Sequence, residues 1–202
     1  MTGTMAIVPT GTANMASVVA AFRRLGAYPR ITARPDDVDS CDRVVVPGVG
    51  SFGAAVSEIE RAGLRDVLRQ RVSDGRPTLA ICVGMQLLAS RSEESPGSEG
   101  LGLFGVTVGR YPDDVRVPQL GWNQVVAGPD NRLVSDGWAY FANSFRVEAV
   151  PQGWAAATAD HGGPFVAAVE RGDVLACQFH PELSGEWGRR LLSGWLGTGR
   201  SV

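Results

Sequence analysis

Two uninterrupted apolar runs, Arg43–Pro47 (RVVVP) and Thr78–Val83 (TLAICV), constrain the fold more than any other feature of this chain. A strand with one wet face alternates apolar and polar residues. A strand that is apolar on both faces must be covered on both, as in a parallel sheet flanked by helices. The neighbouring segments fit such a sheet. Met5–Pro9 and Tyr28–Ala33 read as further strands. Between them, Ala13–Leu25 places Val18, Val19, Phe22 and Leu25 at helical spacing, with Gly26 as a stop. Ala54–Val72 reads as one long helix, burying Val56, Ile59, Leu64, Val67 and Leu68, and Met85–Ser90 starts another. This alternation predicts an α/β fold.

Beyond Ser90 the pattern changes. Arg91–Gly102 is polar and rich in Gly, Ser and Glu, so a surface loop is expected. From Phe104 to Phe179 the runs are short and broken: Val106–Arg110, Gln124–Ala127, Trp138–Phe141, Phe145–Ala149, Ala155–Thr158, Phe165–Glu170 and Val174–Phe179. These suggest antiparallel strands, making the sheet mixed though mostly parallel. Leu183–Leu196 closes the chain as a helix. No repeat or long linker divides the sequence, so residues 1–202 are expected to form a single domain.

Composition narrows the function. No run approaches the ~20 apolar residues of a membrane helix, and the N-terminus lacks a basic segment followed by a long apolar core, so the cytoplasm is the expected location. The net charge is -2 and every one of the 19 basic residues is arginine, which excludes lysine-based Schiff-base chemistry and argues against a nucleic-acid partner. Arg65, Arg69 and Arg71 read as a solvated helix face. Three cysteines, Cys41, Cys82 and Cys177, include no CxxC pair, and there are two histidines, so neither a zinc site nor a disulfide framework is expected. One reactive thiol among three is the possibility left open; Cys41 and Cys177 read as structural.

Three segments could carry chemistry. In Ala80-Ile81-Cys82-Val83-Gly84 a thiol falls between a buried strand and a helix, where small neighbours permit a sharp turn and the helix N-terminus favours thiolate. The Val83 NH would face a developing oxyanion. A buried structural cysteine is the alternative. Pro47-Gly48-Val49-Gly50-Ser51-Phe52-Gly53 follows a strand; its glycines fit the GxGxxG spacing, yet no acidic residue stands where a dinucleotide ribose would need one. Gly48, Val49 and Gly50 read instead as a second source of oxyanion donors, or as a plain tight loop. In His180-Pro181-Glu182 the proline biases His180 toward an extended backbone, and residues two apart in an extended segment share a side. Glu182 could then orient an imidazole that faces a thiol. His161, between Asp160 and Gly162, reads as solvent-facing.

Taken in order, PGVGSFG, AICVGMQ and QFHPE resemble the class I glutamine amidotransferases, a flavodoxin-like α/β family, over nearly the whole chain. Thr10-Gly11-Thr12-Ala13-Asn14, Arg91-Ser92-Glu93-Glu94, Gly121-Trp122-Asn123 and Tyr140-Phe141-Ala142-Asn143-Ser144-Phe145 are similar, more narrowly, to the glutaminase subunits of imidazole glycerol phosphate synthases. The resemblance implies hydrolysis of L-glutamine by a Cys82–His180–Glu182 triad. It also implies that Gln86, Glu94, Asn143, Ser144 and Phe145 grip the substrate, and that no cofactor is used. The partner implied is a (βα)8-barrel cyclase, in a heterodimer that makes imidazole glycerol phosphate and AICAR for histidine biosynthesis, with Trp122 and Asn123 at the interface. Pro9 stands where that subunit usually has aspartate, and Gln119 and Asn143 where histidine is common. A glutaminase serving pyridoxal phosphate or anthranilate synthesis, and a silent amidotransferase-like binding module, remain alternatives.

Overall fold

The computed structural model describes residues 3–11 and 15–199. Its β-strands, in chain order, are β1 Met5–Ile7, β2 Arg30–Ile31, β3 Arg43–Gly48, β4 Thr78–Cys82, β5 Ala89–Ser92, β6 Phe104–Arg110, β7 Gln119–Ala127, β8 Gly137–Asn143, β9 Phe145–Arg146, β10 Ala155–Asp160, β11 Pro164–Arg171 and β12 Val174–Cys177. The helices are α1 Met15–Arg24, α2 Pro35–Ser40, α3 Phe52–Arg61, α4 Arg65–Ser73, α5 Val83–Gln86 and α6 Gly185–Leu196. Nine strands form one mixed sheet in the order β2-β1-β3-β4-β12-β11-β10-β7-β8, and β5-β6-β9 form a small second sheet. Pairing is parallel from β2 to β12 and antiparallel from β12 to β8. The change of direction falls between β12 and β11, one strand beyond β4.

Strands β3 and β4 are buried along their whole length, which is what their uninterrupted apolar runs require. Several boundaries differ from the sequence expectation. The long helix over 54–72 is two helices, broken where Gly63 takes a positive φ of 65°. Its solvated arginine face is also not one. Arg71 is fully buried and donates to the carbonyls of Val38, Asp39, Cys41, Asp42 and Pro77, closing the α2–β3 loop. Arg65 and Arg69 reach the carbonyls of Glu99, Gly100 and Leu101. Burial, then the nearby Arg76, pulls the Arg71 guanidinium down to about 10. The helix expected from Met85 ends at Gln86, and the chain turns into β5 instead. Helix α2 was not expected, and the proposed start of α1 at Ala13 lies outside the described residues.

Candidate active site

Strand β4 runs into α5 with no loop between them, and Cys82 is the junction. Its φ of 55° and ψ of −113° make it the only non-glycine with positive φ among the described residues. Such a conformation costs on the order of 1–3 kcal/mol and needs surroundings that impose it. Two glycines do so. A Cβ on Gly84 would lie 1.9 Å from the Val46 carbonyl oxygen, and one on Gly48 would lie 2.6 Å from the Gly84 nitrogen and 2.7 Å from the Val83 Cβ. Strand β3 and helix α5 therefore meet backbone to backbone, and the chain must turn sharply at Cys82. The helix has only four residues. Its dipole offers the thiol far less than the sequence expectation assumed.

Strand β12 lies beside β4 with Cys177 opposite Ile81, so the residues that follow it continue toward Cys82. His180 is extended, at φ −101° and ψ 95°, as its proline neighbour requires. Residues Pro181–Leu183, however, form one 3-10 turn rather than an extended segment, so the shared side expected from strand geometry is produced by a turn. The turn is pinned to β8: the His180 NH donates to the Tyr140 carbonyl (2.8 Å), and the Ser184 hydroxyl donates to the His180 carbonyl (2.6 Å) and accepts from the Tyr140 NH (3.0 Å). Within it, His180 Nδ1 lies 2.9 Å from Glu182 Oε1, and both side chains are buried. Burial of the ring opposes its charge, but hydrogen bonds to Cys82 and Glu182, with their charges, outweigh it and push the imidazole up to about 10. An imidazole bonded to a sulfur on one side and a carboxylate on the other is the arrangement of a Cys–His–Glu constellation.

A cavity of about 250 Å³ opens onto Cys82 and His180, and Val49, Gly50, Val83, Gln86, Glu94, Asn143, Ser144 and Phe145 also line it. The three sequence segments and the expected substrate-binding residues thus converge on one space. Gly48 does not line it; its register partner in the sheet is Cys82, and its role is the close packing described above. Glu94 accepts from the Phe52 NH at 2.6 Å and Ser95 Oγ from the Gly53 NH at 2.9 Å, which fixes the glycine loop at the start of α3. Pro118 and Ala142 line the cavity without having been singled out in the sequence. Asn143 is buried and its Oδ1 has no partner. Thr12, Ala13 and Asn14 of the first-turn motif lie outside the described residues.

The two residues expected at a partner surface behave differently. Trp122 is exposed on β7. Asn123 is half-buried and turns its side chain back on the chain, donating to the Asp160 carbonyl (2.8 Å) and accepting from the Gln124 NH (2.7 Å). His161 is half-buried rather than solvent-facing, with Nε2 2.8 Å from the Arg116 carbonyl. Cys41 and Cys177 are buried free thiols, and burial pushes Cys177 well above the ordinary thiol value. Among the described residues no cluster of three His, Cys, Asp or Glu side chains could hold a metal, and no helix is long and apolar enough to cross a membrane.

Residues 7–195 match the class I glutamine amidotransferase family. Imidazole glycerol phosphate synthase subunit HisH of Methanothermobacter thermautotrophicus is 40% identical over 195 residues, covering 95% of this chain and 97% of the other. The subunit of the same name from Symbiobacterium thermophilum is 40% identical, covering 94% and 91%. The chloroplastic imidazole glycerol phosphate synthase hisHF of Arabidopsis thaliana is 37% identical over 92% of this chain but only 33% of its own length. Among solved structures, a glutamine amidotransferase crystal structure superposes with a TM-score of 0.76 at 22% identity, covering 96% of this chain and 97% of the other. That superposition supports the fold, and the sequence matches carry the rest: the chain belongs to the class I glutamine amidotransferase family and, within it, to the HisH subunits of imidazole glycerol phosphate synthase.

Proposed function

We propose that this chain hydrolyses L-glutamine to glutamate and ammonia, with Cys82 as nucleophile, His180 as acid and base, and Glu182 as the group that orients it. The observation that carries this reading is the strained Cys82 turn sharing a cavity with a buried His180–Glu182 pair. The Cys82 thiolate attacks the side-chain carboxamide carbon, forming a C–S bond and an oxyanion. The Val83 NH and the Val49–Gly50 backbone are the available donors, each such donor being worth on the order of 3 kcal/mol. The intermediate collapses as His180 protonates the departing nitrogen, leaving a glutamyl thioester and ammonia. His180 then takes a proton from water, the water oxygen attacks the thioester, and the C–S bond breaks to return thiolate and imidazolium. The Asn143 oxygen, left without a partner, and the Glu94 carboxylate suit the substrate's ammonium group.

Ammonia protonates in open water and loses its nucleophilicity, so a consumer must sit against the site. A surface suited to one adjoins it. On the outer face of the β7–β8 pair stand Leu120 (63% exposed), Trp122 (55%) and Trp138 (58%), with Trp122 reaching Gly185 just after the catalytic turn. Leu120 pairs with Ala142, which lines the glutamine cavity, so the apolar face reaches the site. The relatives' names and the longer Arabidopsis chain support a synthase partner, proposed here as the (βα)8-barrel cyclase that makes imidazole glycerol phosphate and AICAR in histidine biosynthesis. Trp122 is the anchor of that interface. Three free thiols suit a reducing compartment, and the cytoplasm is the proposed location.

The test is covalent capture with 6-diazo-5-oxonorleucine, a glutamine-shaped electrophile, alongside an ammonia assay. Label is expected on Cys82 and activity lost in Cys82→Ala; ammonia release by that variant at the wild-type rate refutes the reading.

A further inference from the structure

The Cys82 sulfur has a second neighbour besides His180. Gln178, on the chain between β12 and His180, places Nε2 3.6 Å from Cys82 Sγ, within reach for the large, diffuse sulfur acceptor. Gln178 is fully buried, at 0% exposure, so its amide must find its partners inside the protein. Which end of the amide faces the sulfur is fixed by Gln86, whose Nε2 donates to Gln178 Oε1 at 2.9 Å. Gln86 Nε2 also donates to the Phe145 carbonyl at 3.0 Å. Both of its protons are then in use, and it offers Gln178 no acceptor in exchange.

The order extends further. The Phe145 carbonyl also accepts from Asn143 Nδ2 (3.0 Å), whose other proton goes to the Tyr111 hydroxyl (2.9 Å), which in turn donates to Gln119 Oε1 (2.6 Å). Burial pushes the Tyr111 phenol up, against the hydrogen bond from Asn143, so the hydroxyl keeps its proton and remains a donor. The side chains of Gln119, Tyr111, Asn143, Gln86 and Gln178 are all buried, and none of them is an acid or base near neutral pH. They form one continuous set from the start of β7 to the nucleophile, in which the Phe145 carbonyl fixes the amide orientation of both Gln86 and Asn143.

We propose that Gln178 is a catalytic residue: it donates a hydrogen bond to the Cys82 thiolate, and the Gln86–Asn143–Tyr111–Gln119 set positions it to do so. The four-residue helix α5 provides little dipole, so the sulfur's negative charge rests on this amide and the His180 imidazolium. The same donor meets the sulfur again when it leaves in thioester hydrolysis. The assignment rests on the glutaminase reading for its consequences in turnover, but not for its effect on the thiol.

The experiment measures the pH dependence of Cys82 alkylation by iodoacetamide in the full chain, subtracting the Cys82→Ala background from Cys41 and Cys177. Gln178→Met keeps the length of the side chain and removes the donor. A hydrogen bond to a charged group is worth enough that the pH midpoint of alkylation should rise by about one unit or more. Glutamine turnover should fall by about tenfold, because the same donor meets the leaving sulfur. Gln178 does not line the glutamine cavity, so KM should stay within about twofold, a split that general loosening of the site would not give. A folded Gln178→Met protein alkylated with the wild-type pH midpoint overturns the assignment. If that variant does not fold, Gln178→Asn, whose amide stops one methylene short, decides on the same criterion. A wild-type protein that releases no ammonia while alkylation still depends on Gln178 would sink the glutaminase reading and leave this one standing.

Discussion

Replacing Glu182 with glutamine separates charge from orientation at the proposed triad. Glu182 Oε1 lies 2.9 Å from His180 Nδ1, the carboxylate is 3% exposed, and Oε2 has no hydrogen-bond partner. In Glu182→Gln the amide oxygen can take the place of Oε1 and still accept from Nδ1–H, so the ring keeps its tautomer. What disappears is the negative charge that supports the imidazolium. A bond to a charged group contributes about 1.5–3 kcal/mol and a neutral one about 0.5–1.5. The difference of roughly 1–2 kcal/mol corresponds to about a 5- to 30-fold loss in kcat/KM. Glu182→Leu removes orientation as well and should cost on the order of 10⁴-fold, the scale seen when the acid of a triad is removed. The amide NH₂ would take the Oε2 position, where no acceptor waits, costing about 1–3 kcal/mol of stability. Steady-state ammonia release and thermal melting of both variants measure the two effects separately. A Gln variant within twofold of wild type would refute the charge contribution and leave Glu182 an orienting role only. A Gln variant as poor as Leu would show that charge alone, and not orientation, is its contribution.

Further expectations follow from the same geometry. The His180 ring should remain an imidazolium until about pH 10 in ¹⁵N NMR. In Cys82→Ala it should titrate lower, because the sulfur's bond and charge are lost while the opposing burial stays; an unchanged titration contradicts the pairing. Since the folded value is raised, its contribution to stability is complete below the ordinary 6.5 and fades as pH rises through about 10. The melting-temperature advantage of wild type over His180→Asn should shrink across that interval. Gly84→Ala drives a methyl to 1.9 Å from the Val46 carbonyl oxygen, so β3 and α5 must separate. Turnover should fall at least 100-fold or the chain should fail to fold by circular dichroism, and a stable, active variant would disprove the close-approach account. Arg71→Met takes a donor from five backbone carbonyls, of which Pro77 keeps the Val44 NH and Asp39 keeps Arg76; a loss of about 3 kcal/mol should lower the melting temperature by roughly 6–12 °C. Cys82 alkylation at 20 °C should be untouched, because Arg71 supports the far end of β4.

The site was legible in the sequence where its chemistry is local. Cys82 and the His180–Glu182 pair each sit at a strand end marked by its own motif, and β4 and β12 being adjacent is all that is needed to join them. Gln178 was legible only in part. It stands between Cys177 and Phe179 in an apolar strand extension, a signal for a buried polar group, but its partners lie at positions 82 and 86, and no local pattern names them. Arg71 carried a signal that a composition argument hides. Leu64, Leu68 and Val72 mark the buried stripe of α4, and position 71 lies on it, seven residues after Leu64 and three after Leu68. A charge on such a stripe indicates a buried donor, and the carbonyls it closes become known only once the α2–β3 loop is placed. The exposed face of β7 shows the reverse case. Leu120, Trp122 and Val126 alternate with inward positions as any half-buried strand would, so the sequence cannot say which side is wet. The structure decides it by putting Val125 in the core and the Trp122 face outside, next to the turn that carries His180. Motifs within one element therefore report the groups proposed to react. The amide set behind the nucleophile and the surface in front of it depend on contacts between residues tens of positions apart, and those arise only when the mixed sheet closes.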